Sequence, residues 1–362
     1  MSTTLNTINN RNLDSNYNSN KTLLNISNNN INYSDIINNI KKGKLSKYDM
    51  IKITVHIQNN SYTFSRYLLS NYLKIIKIPE EEADNIAYDT KRYLIDNCYE
   101  YIKSDELNKI LFKIMENYNY NSKVYKQRYS VITKFYMQRT PLIILIAGAP
   151  MIGKTYISNL LSEKLNISNV LQTKVVNLVI KALKKESLHN DNTKDIFKIE
   201  NNEEFIASYY KQCLNVRKGC DFDIQKAYSE GKSVILEGYD LLPSYFLHNI
   251  CDKKELIVLK HMNYLESNNI TNNIKCSQNL DKGLIIPFLL KTDDFNYELF
   301  LNNNLIDNSK NIKLINKFKI IQSILEKNKN LINILNVNYN KLDEVANDIH
   351  NCVLDRIDKY FN

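Results

Sequence analysis

A chain of 362 residues, 43% hydrophobic and 24% charged, has the make-up of a soluble protein and is long enough for one large domain or two smaller ones. The formal charge of +9 comes mostly from lysine, with only seven arginines and no dense basic stripe, so a nucleic-acid partner is not expected. The six cysteines have no zinc-like spacing, the N-terminus has no signal-peptide pattern and no apolar run reaches spanning length, so reduced thiols, no membrane partner and a cytoplasmic location are expected.

Residues 1–45 are dominated by Asn and Ser, as in "NSNKTLLNISNNNINY". So few apolar groups cannot repay the entropy of ordering, and a disordered arm is predicted, with a weak helix near Ile36–Ile40. From Asp49 the pattern changes. "MIKITVHI" alternates as a strand does, and "SYTFSRYLLSNYLKII" has apolar residues at helical spacing. "PEEEADNIAYDTKRYLIDNCYEYI" opens with Pro and three acids, which suit a helix N-terminus. "SDELNKILFKIMENY" opens with Ser and an early Glu, in the manner of a capping box. One short strand and three helices are therefore predicted over 48–117. "SKVYKQRYSVITKFYMQR" predicts a further, linking helix. Together these make a small, mostly helical domain over 46–139.

From Pro141 the rhythm becomes strand–helix. "LIILIA", "SVILEG", "ELIVL" and "INILNV" are short apolar runs separated by helical stretches. That alternation predicts an α/β domain over 140–362, a parallel sheet flanked by helices.

The turn after "LIILIA" reads Gly148, Ala149, Pro150, Met151, Ile152, Gly153, Lys154, Thr155, Tyr156. It satisfies G-x-x-x-x-G-K-[ST] between a strand and a helix predicted over Lys154–Leu165. Only seven glycines occur in the chain, so two at this spacing are hard to ascribe to chance. Glycines let such a loop curl with its N–H groups inward, and the helix N-terminus adds partial positive charge. These nine residues are the expected cradle for ATP. Lys154 would meet the β- and γ-phosphates, and the Thr155 hydroxyl would sit on Mg²⁺. The alternative is a plain tight strand–helix turn.

"SVILEGYDLLP" places Glu237 at a strand end and Asp240 just beyond. Carboxylates at the C-terminal ends of parallel strands face the ligand crevice. Glu237 is a candidate Mg²⁺ holder through water. Asp240 could orient or deprotonate a hydroxyl, or merely cap the following turn.

Four segments in order resemble the 2-phosphoglycerate kinase family: "YTFSRYLLSNYL" (Tyr62–Leu73), "PLIILIAGAPMIGKTYISNLLSEKLNI", the frame Gln212, Val216, Gly219, Ile224, Ala227, Glu230, Gly231, Ser233, Glu237, Gly238, Leu242, Pro243, and "INKFKIIQSIL". The resemblance covers roughly 48–350. It implies a P-loop NTPase sheet preceded by an ATP-cone-like domain, with ATP and Mg²⁺ as cofactors. It also implies transfer of the γ-phosphoryl group to a small phosphorylated substrate, 2-phosphoglycerate. At positions where the family carries an acid and arginines this chain has Lys174, Asn177, Lys181, Asn316 and Lys319. Lys181 and Lys319 are the cations carried over to the phosphates. The stretch 271–305 separates family segments and reads as a lid or an added loop. Two other readings stay open: an inositol-phosphate or polynucleotide kinase, and a catalytically silent nucleotide-binding regulator or scaffold, which Lys174 favours.

Overall fold

A computed structural model describes residues 47–57, 60–187, 195–247, 283–293, 308–327 and 332–361. The arm at 1–45, its helix and the strand expected at "ELIVL" lie outside those residues. The chain divides into two compact units, Met1–Arg66 with Asp84–Tyr118, and Tyr67–Ala83 with Asn119–Asn362.

The N-terminal elements are α1 (Lys47–Met50), β1 (Thr54–Ile57), β2 (Asn60–Thr63), α2 (Arg66–Ile75), α3 (Glu80–Asp96), β3 (Tyr101–Lys103) and α4 (Ser104–Asn117). The first unit holds a three-stranded sheet of order β2-β1-β3, antiparallel between β1 and β2 and parallel between β1 and β3. One strand was expected here, and "SYT" was expected to begin a helix. β2 is exposed at every position, so it has no apolar alternation to reveal it; its backbone pairing with β1 defines it. Val55 and Ile102 are buried, and so are Leu107, Leu111 and Met115 on α4, which packs on β1 and β3. The capping box does not form. Lys103 is the N-cap and Ser104 already lies inside α4. Glu106 is two residues after Ser104 rather than three, and it accepts a hydrogen bond from the Tyr99 hydroxyl instead.

The second unit continues with α5 (Lys123–Met137), β4 (Leu142–Ala147), α6 (Lys154–Leu165), β5 (Val170–Gln172), α7 (Thr173–Ser187), a 3₁₀ turn at Ile196–Lys198, and α8 (Asn202–Glu230). Then come β6 (Ser233–Gly238), α9 (Pro243–Leu247), β7 (Leu284–Lys291), α10 (Asn308–Leu325), β8 (Asn333–Asn336) and α11 (Leu342–Phe361). The sheet has the order β5-β6-β4-β7-β8, and every pairing is parallel. β4 is buried at all six positions, as a central strand covered on both faces must be. One face carries Ile143 and Leu145 against Phe205, Tyr209, Cys213 and Val216 of α8 and Ile321 and Ile324 of α10. α6 also packs on β4 and β6, and α11 packs on β7 and on α6.

β7 corrects the reading of 271–305 as a lid or added loop. Leu284–Lys291 is a core strand that pairs with β4 along six residues, from Leu142–Leu284 to Ala147–Leu289. Its run "LIIPFLL" escaped notice because Pro287 argues against a central strand, where a missing N–H breaks a ladder. No helix among the described residues is long and apolar enough to cross a membrane. Among those residues Cys98, Cys213, Cys220 and Cys352 are free thiols.

Candidate functional site

β4 and β6 lie side by side, yet their successors sit on opposite sides: β5 follows β4 and lies beyond β6, while β7 follows β6 and lies beyond β4. Ligand crevices of α/β sheets open at such reversals, outside the carboxyl ends of the strands. The 148–153 loop leaves β4 there, and Glu237 and Asp240 lie at the end of β6 and just past it.

The loop is built for close approach. Gly153 has φ +84° and caps the start of α6; a Cβ there would also press to 3.0 Å on Leu342. A Cβ at Gly148 would strike the Ile152 side chain and the Leu290 carbonyl. Met151 adopts φ +65° without being glycine, which costs about 1–2 kcal/mol and marks local strain. Ala149 and Ile152 are buried, whereas Pro150 is half-buried.

Lys154 is only 7% exposed, and its Nζ donates to the Ala149 carbonyl at 2.7 Å. Burial lowers its pKa to about 8, against the pull of Glu237 and Asp240, which favour the charged form. Thr155 Oγ1 donates to Glu237 Oε1 at 2.8 Å. The register explains the meeting: Glu237 pairs with Ile146, next to the last residue of β4. Tyr156 is half exposed and its hydroxyl donates to Asp343 at 3.0 Å.

Asp240 is fully buried. Burial raises its pKa to about 7, opposed by the Gln212 hydrogen bond, by the charges of Lys154 and Lys181 and by the Thr173 hydroxyl. Lys181, half-buried on α7, is near enough for its charge to favour the ionised carboxyl. Thr173, the first residue of α7, is buried against Gly238 so tightly that a Cβ on Gly238 would run into its hydroxyl. Lys174, next along, is exposed. Thus Lys154, Thr155, Glu237 and Asp240 come together, with Lys181 near enough for its charge to be felt at Asp240. Lys319 is half-buried on α10. Lys317, two residues earlier, is the buried cation: its Nζ donates to the Phe197 carbonyl at 2.5 Å and lies 5.6 Å over the Phe205 ring.

Two glutamines complete the site, and neither was singled out for a role from the sequence. Gln212 of α8 donates to Asp240, and Gln322 of α10 accepts from the Ala149 N–H at 3.0 Å. Both fall at apolar-stripe spacing of their helices, Gln212 between Tyr209 and Val216 and Gln322 between Phe318 and Leu325. A polar residue on a core-facing stripe was the available signal.

No family model matches this chain. Curated relatives do. The 2-phosphoglycerate kinase of Pyrococcus horikoshii is 25% identical over 203 residues, 54% of this chain and 67% of that one. The Methanopyrus kandleri 2-phosphoglycerate kinase is 25% identical over 214 residues, 57% and 64% of the two chains. That of Pyrococcus furiosus is 26% identical over 203 residues, 54% and 67%. This chain is a distant relative of the 2-phosphoglycerate kinases. Among solved structures, a full-length tRNA isopentenylpyrophosphate transferase from Bacillus halodurans aligns over 61% of this chain and 99% of its own at 14% identity. Its TM-score of 0.32 is too low to show a shared fold. A kinase-type enzyme is what the 2-phosphoglycerate kinase relatives support, and the α/β unit with its parallel sheet agrees with a P-loop-like fold.

Proposed function

We propose that this protein is an ATP- and Mg²⁺-dependent kinase that phosphorylates a hydroxyl of a small phosphorylated metabolite. The names of the relatives make 2-phosphoglycerate the first acceptor to try. The observation that carries the reading is the Thr155–Glu237 hydrogen bond beside buried Lys154, within a glycine-bounded strand–helix loop. A loop with this sequence and geometry fits a phosphate cradle of the Walker A type over Gly148–Tyr156, and a hydroxyl with a carboxylate is a fitting oxygen pair for Mg²⁺. Bound between Thr155 and Glu237, Mg²⁺ would neutralise charge on the phosphates.

The chain's own groups supply the rest. Lys154, now held by the Ala149 carbonyl, would exchange that oxygen for the β- and γ-phosphates. Asp240 would accept the proton of the acceptor hydroxyl as its oxygen bonds to Pγ and the bond from Pγ to the bridging oxygen breaks, leaving ADP. Lys181, and Lys319 from α10, would offset the transferred charge. In this reading the chain is arranged as an arm at 1–45, an ATP-cone-like domain at 46–139 and a kinase domain at 140–362, and it works in the cytoplasm.

One observation favours a second reading, a catalytically silent nucleotide-binding protein: exposed Lys174 stands where the resemblance expects an acid. Incubation with γ-labelled ATP·Mg²⁺ and a panel of phosphorylated acceptors separates the two. Label transfer that is lost in Lys154→Ala supports the kinase. ATP binding without transfer supports the silent binder, and failure to bind ATP defeats both.

A further inference from the structure

A fully buried carboxylate needs partners, and Asp240 has a divided environment. Oδ1 accepts a hydrogen bond from Gln212 Nε2 at 2.7 Å, whereas Oδ2 meets no well-formed hydrogen bond among the described residues. The neighbouring hydroxyl of Thr173, likewise without a well-formed bond among those residues, favours the charged form of Asp240 as a hydrogen-bond donor to it. A carboxylate oxygen accepts more than one hydrogen bond, so Oδ2 keeps capacity for a ligand hydroxyl beside Thr173.

α8 grips this turn twice. Gln212 Nε2 also donates to the Tyr239 hydroxyl at 3.1 Å, so both N–H bonds of its amide are used. One turn earlier on the same helix, the Tyr209 hydroxyl donates to the Tyr239 carbonyl at 2.6 Å. Residues three apart on a helix share a face, so one face of α8 fixes both the backbone and the carboxyl of the 239–240 turn. Gln212 is itself 5% exposed. A residue that merely filled space at this depth would be apolar, as Phe205, Cys213 and Val216 on the same stripe are.

We propose that Gln212 is the positioning residue of Asp240: by occupying Oδ1 it fixes the carboxyl plane and leaves Oδ2, beside Thr173 Oγ1, to receive the hydroxyl of the acceptor. The catalytic half of this inference rests on the kinase reading; the positioning half does not. Asp240 is faced by Lys154 from the loop and α6, by Lys181 from α7, by Tyr209 and Cys213 from α8, and by Tyr239 in its own turn. Glu237 shares Lys154 with it. The two lysines favour the charged form and burial opposes it. Removal of the Gln212 donor takes away another group that favours ionisation, so the carboxyl must hold its proton to higher pH.

The test is a carboxyl ¹³C NMR titration of full-length protein labelled at Asp, with the Asp240 signal identified by its loss in Asp240→Asn. Gln212→Met keeps the volume and removes the donors. Its Asp240 midpoint is expected to rise by about half a unit or more. The acid limb of the kcat/KM profile should move with it, kcat should fall roughly tenfold, and ATP·Mg²⁺ affinity should stay at the parent value. Titration at the parent midpoint in Gln212→Met overturns the positioning role. If Gln212→Met does not fold, Gln212→Asn, which keeps the amide but draws its donors back by one methylene, serves in the same titration: a raised Asp240 midpoint supports the proposal, and an unmoved one overturns it. A parent that transfers no phosphoryl group to any acceptor sinks the kinase reading and with it the acceptor role of Oδ2, and the titration still decides whether Gln212 positions Asp240.

Discussion

Thr155 and Glu237 are 82 residues apart in sequence and 2.8 Å apart in space, joined by a hydroxyl-to-carboxylate hydrogen bond from the first turn of α6 to the end of β6. In the proposed kinase this pair holds Mg²⁺, and metal dependence is its signature. Glu237→Gln keeps a hydrogen-bond acceptor for Thr155 and removes the negative charge. Its affinity for ATP without Mg²⁺ should match the parent. The gain in affinity on adding Mg²⁺ should shrink by about tenfold, close to 1.4 kcal/mol. Calorimetric titration in EDTA and in Mg²⁺ reads both values, and an undiminished Mg²⁺ gain would remove Glu237 from the site.

Much of this site could be read in the chain, because its parts are local. The G-x-x-x-x-G-K-T spacing, the run "LIILIA" before it and the helix Lys154–Leu165 all arise within 25 residues, and that helix has the predicted ends. Glu237 does lie at the end of β6, where the strand-end logic put it. The partners that hold Asp240 and Ala149 come from Gln212 and Gln322, 28 and 173 residues away, and no local pattern encodes such pairings. β7 was missed because Pro287 contradicts strand propensity and tertiary pairing with β4 overrides it. β2 was missed for the opposite reason: "NSYT" buries nothing, so it shows no alternation.

Lys154 gives a prediction with opposed signs. Its ammonium is buried, and burial lowers its pKa to about 8, so the free protein bears a cost for holding it. Lys154→Met removes that cost and keeps an apolar stem of similar reach. ATP affinity is expected to fall by more than tenfold while the thermal midpoint stays level or rises. Differential scanning fluorimetry and calorimetry on one preparation decide it. A collapsed midpoint would show that Lys154 holds the loop together through Ala149 rather than waiting for phosphate.

Gln322 ties the loop to α10. Its Oε1 accepts from the Ala149 N–H, and its Nε2 donates to Glu326 at 3.2 Å, in turn paired with Lys291. Gln322→Leu leaves the Ala149 N–H without that acceptor, at a cost of about 1–3 kcal/mol. A loss of roughly 3–6 °C in midpoint is expected. ATP affinity should drop several-fold, because the cradle loses its anchor. A midpoint and an affinity both at parent values would mean that the loop is held by its glycines and by β7 alone.

His350 sets the behaviour at low pH. It is 2% exposed on α11, with Nε2 donating to the Ile75 carbonyl at 2.8 Å. Burial, then the charge of Lys77, lowers its pKa to about 4. The unfolded chain takes up the same proton near pH ~6.5. Between these values the unfolded state binds more protons, so the stability contribution of His350 falls as pH falls through that window, by about 2–3 kcal/mol at pH ~4.5. Asp240 acts in the opposite sense. Its pKa is raised to about 7 against ~3.9 unfolded, so its protonation favours the folded state as pH falls through the same range. Total stability against pH therefore hides both, and the difference between parent and His350→Gln isolates one. Glutamine can keep an N–H for Ile75 and cannot take up a proton. Urea midpoints of the two proteins should lie close together at pH 7.5, and the variant should become the more stable one near pH 4.5. Parallel curves over that range would show that His350 is protonated in the folded protein, with the Ile75 bond surviving its charge.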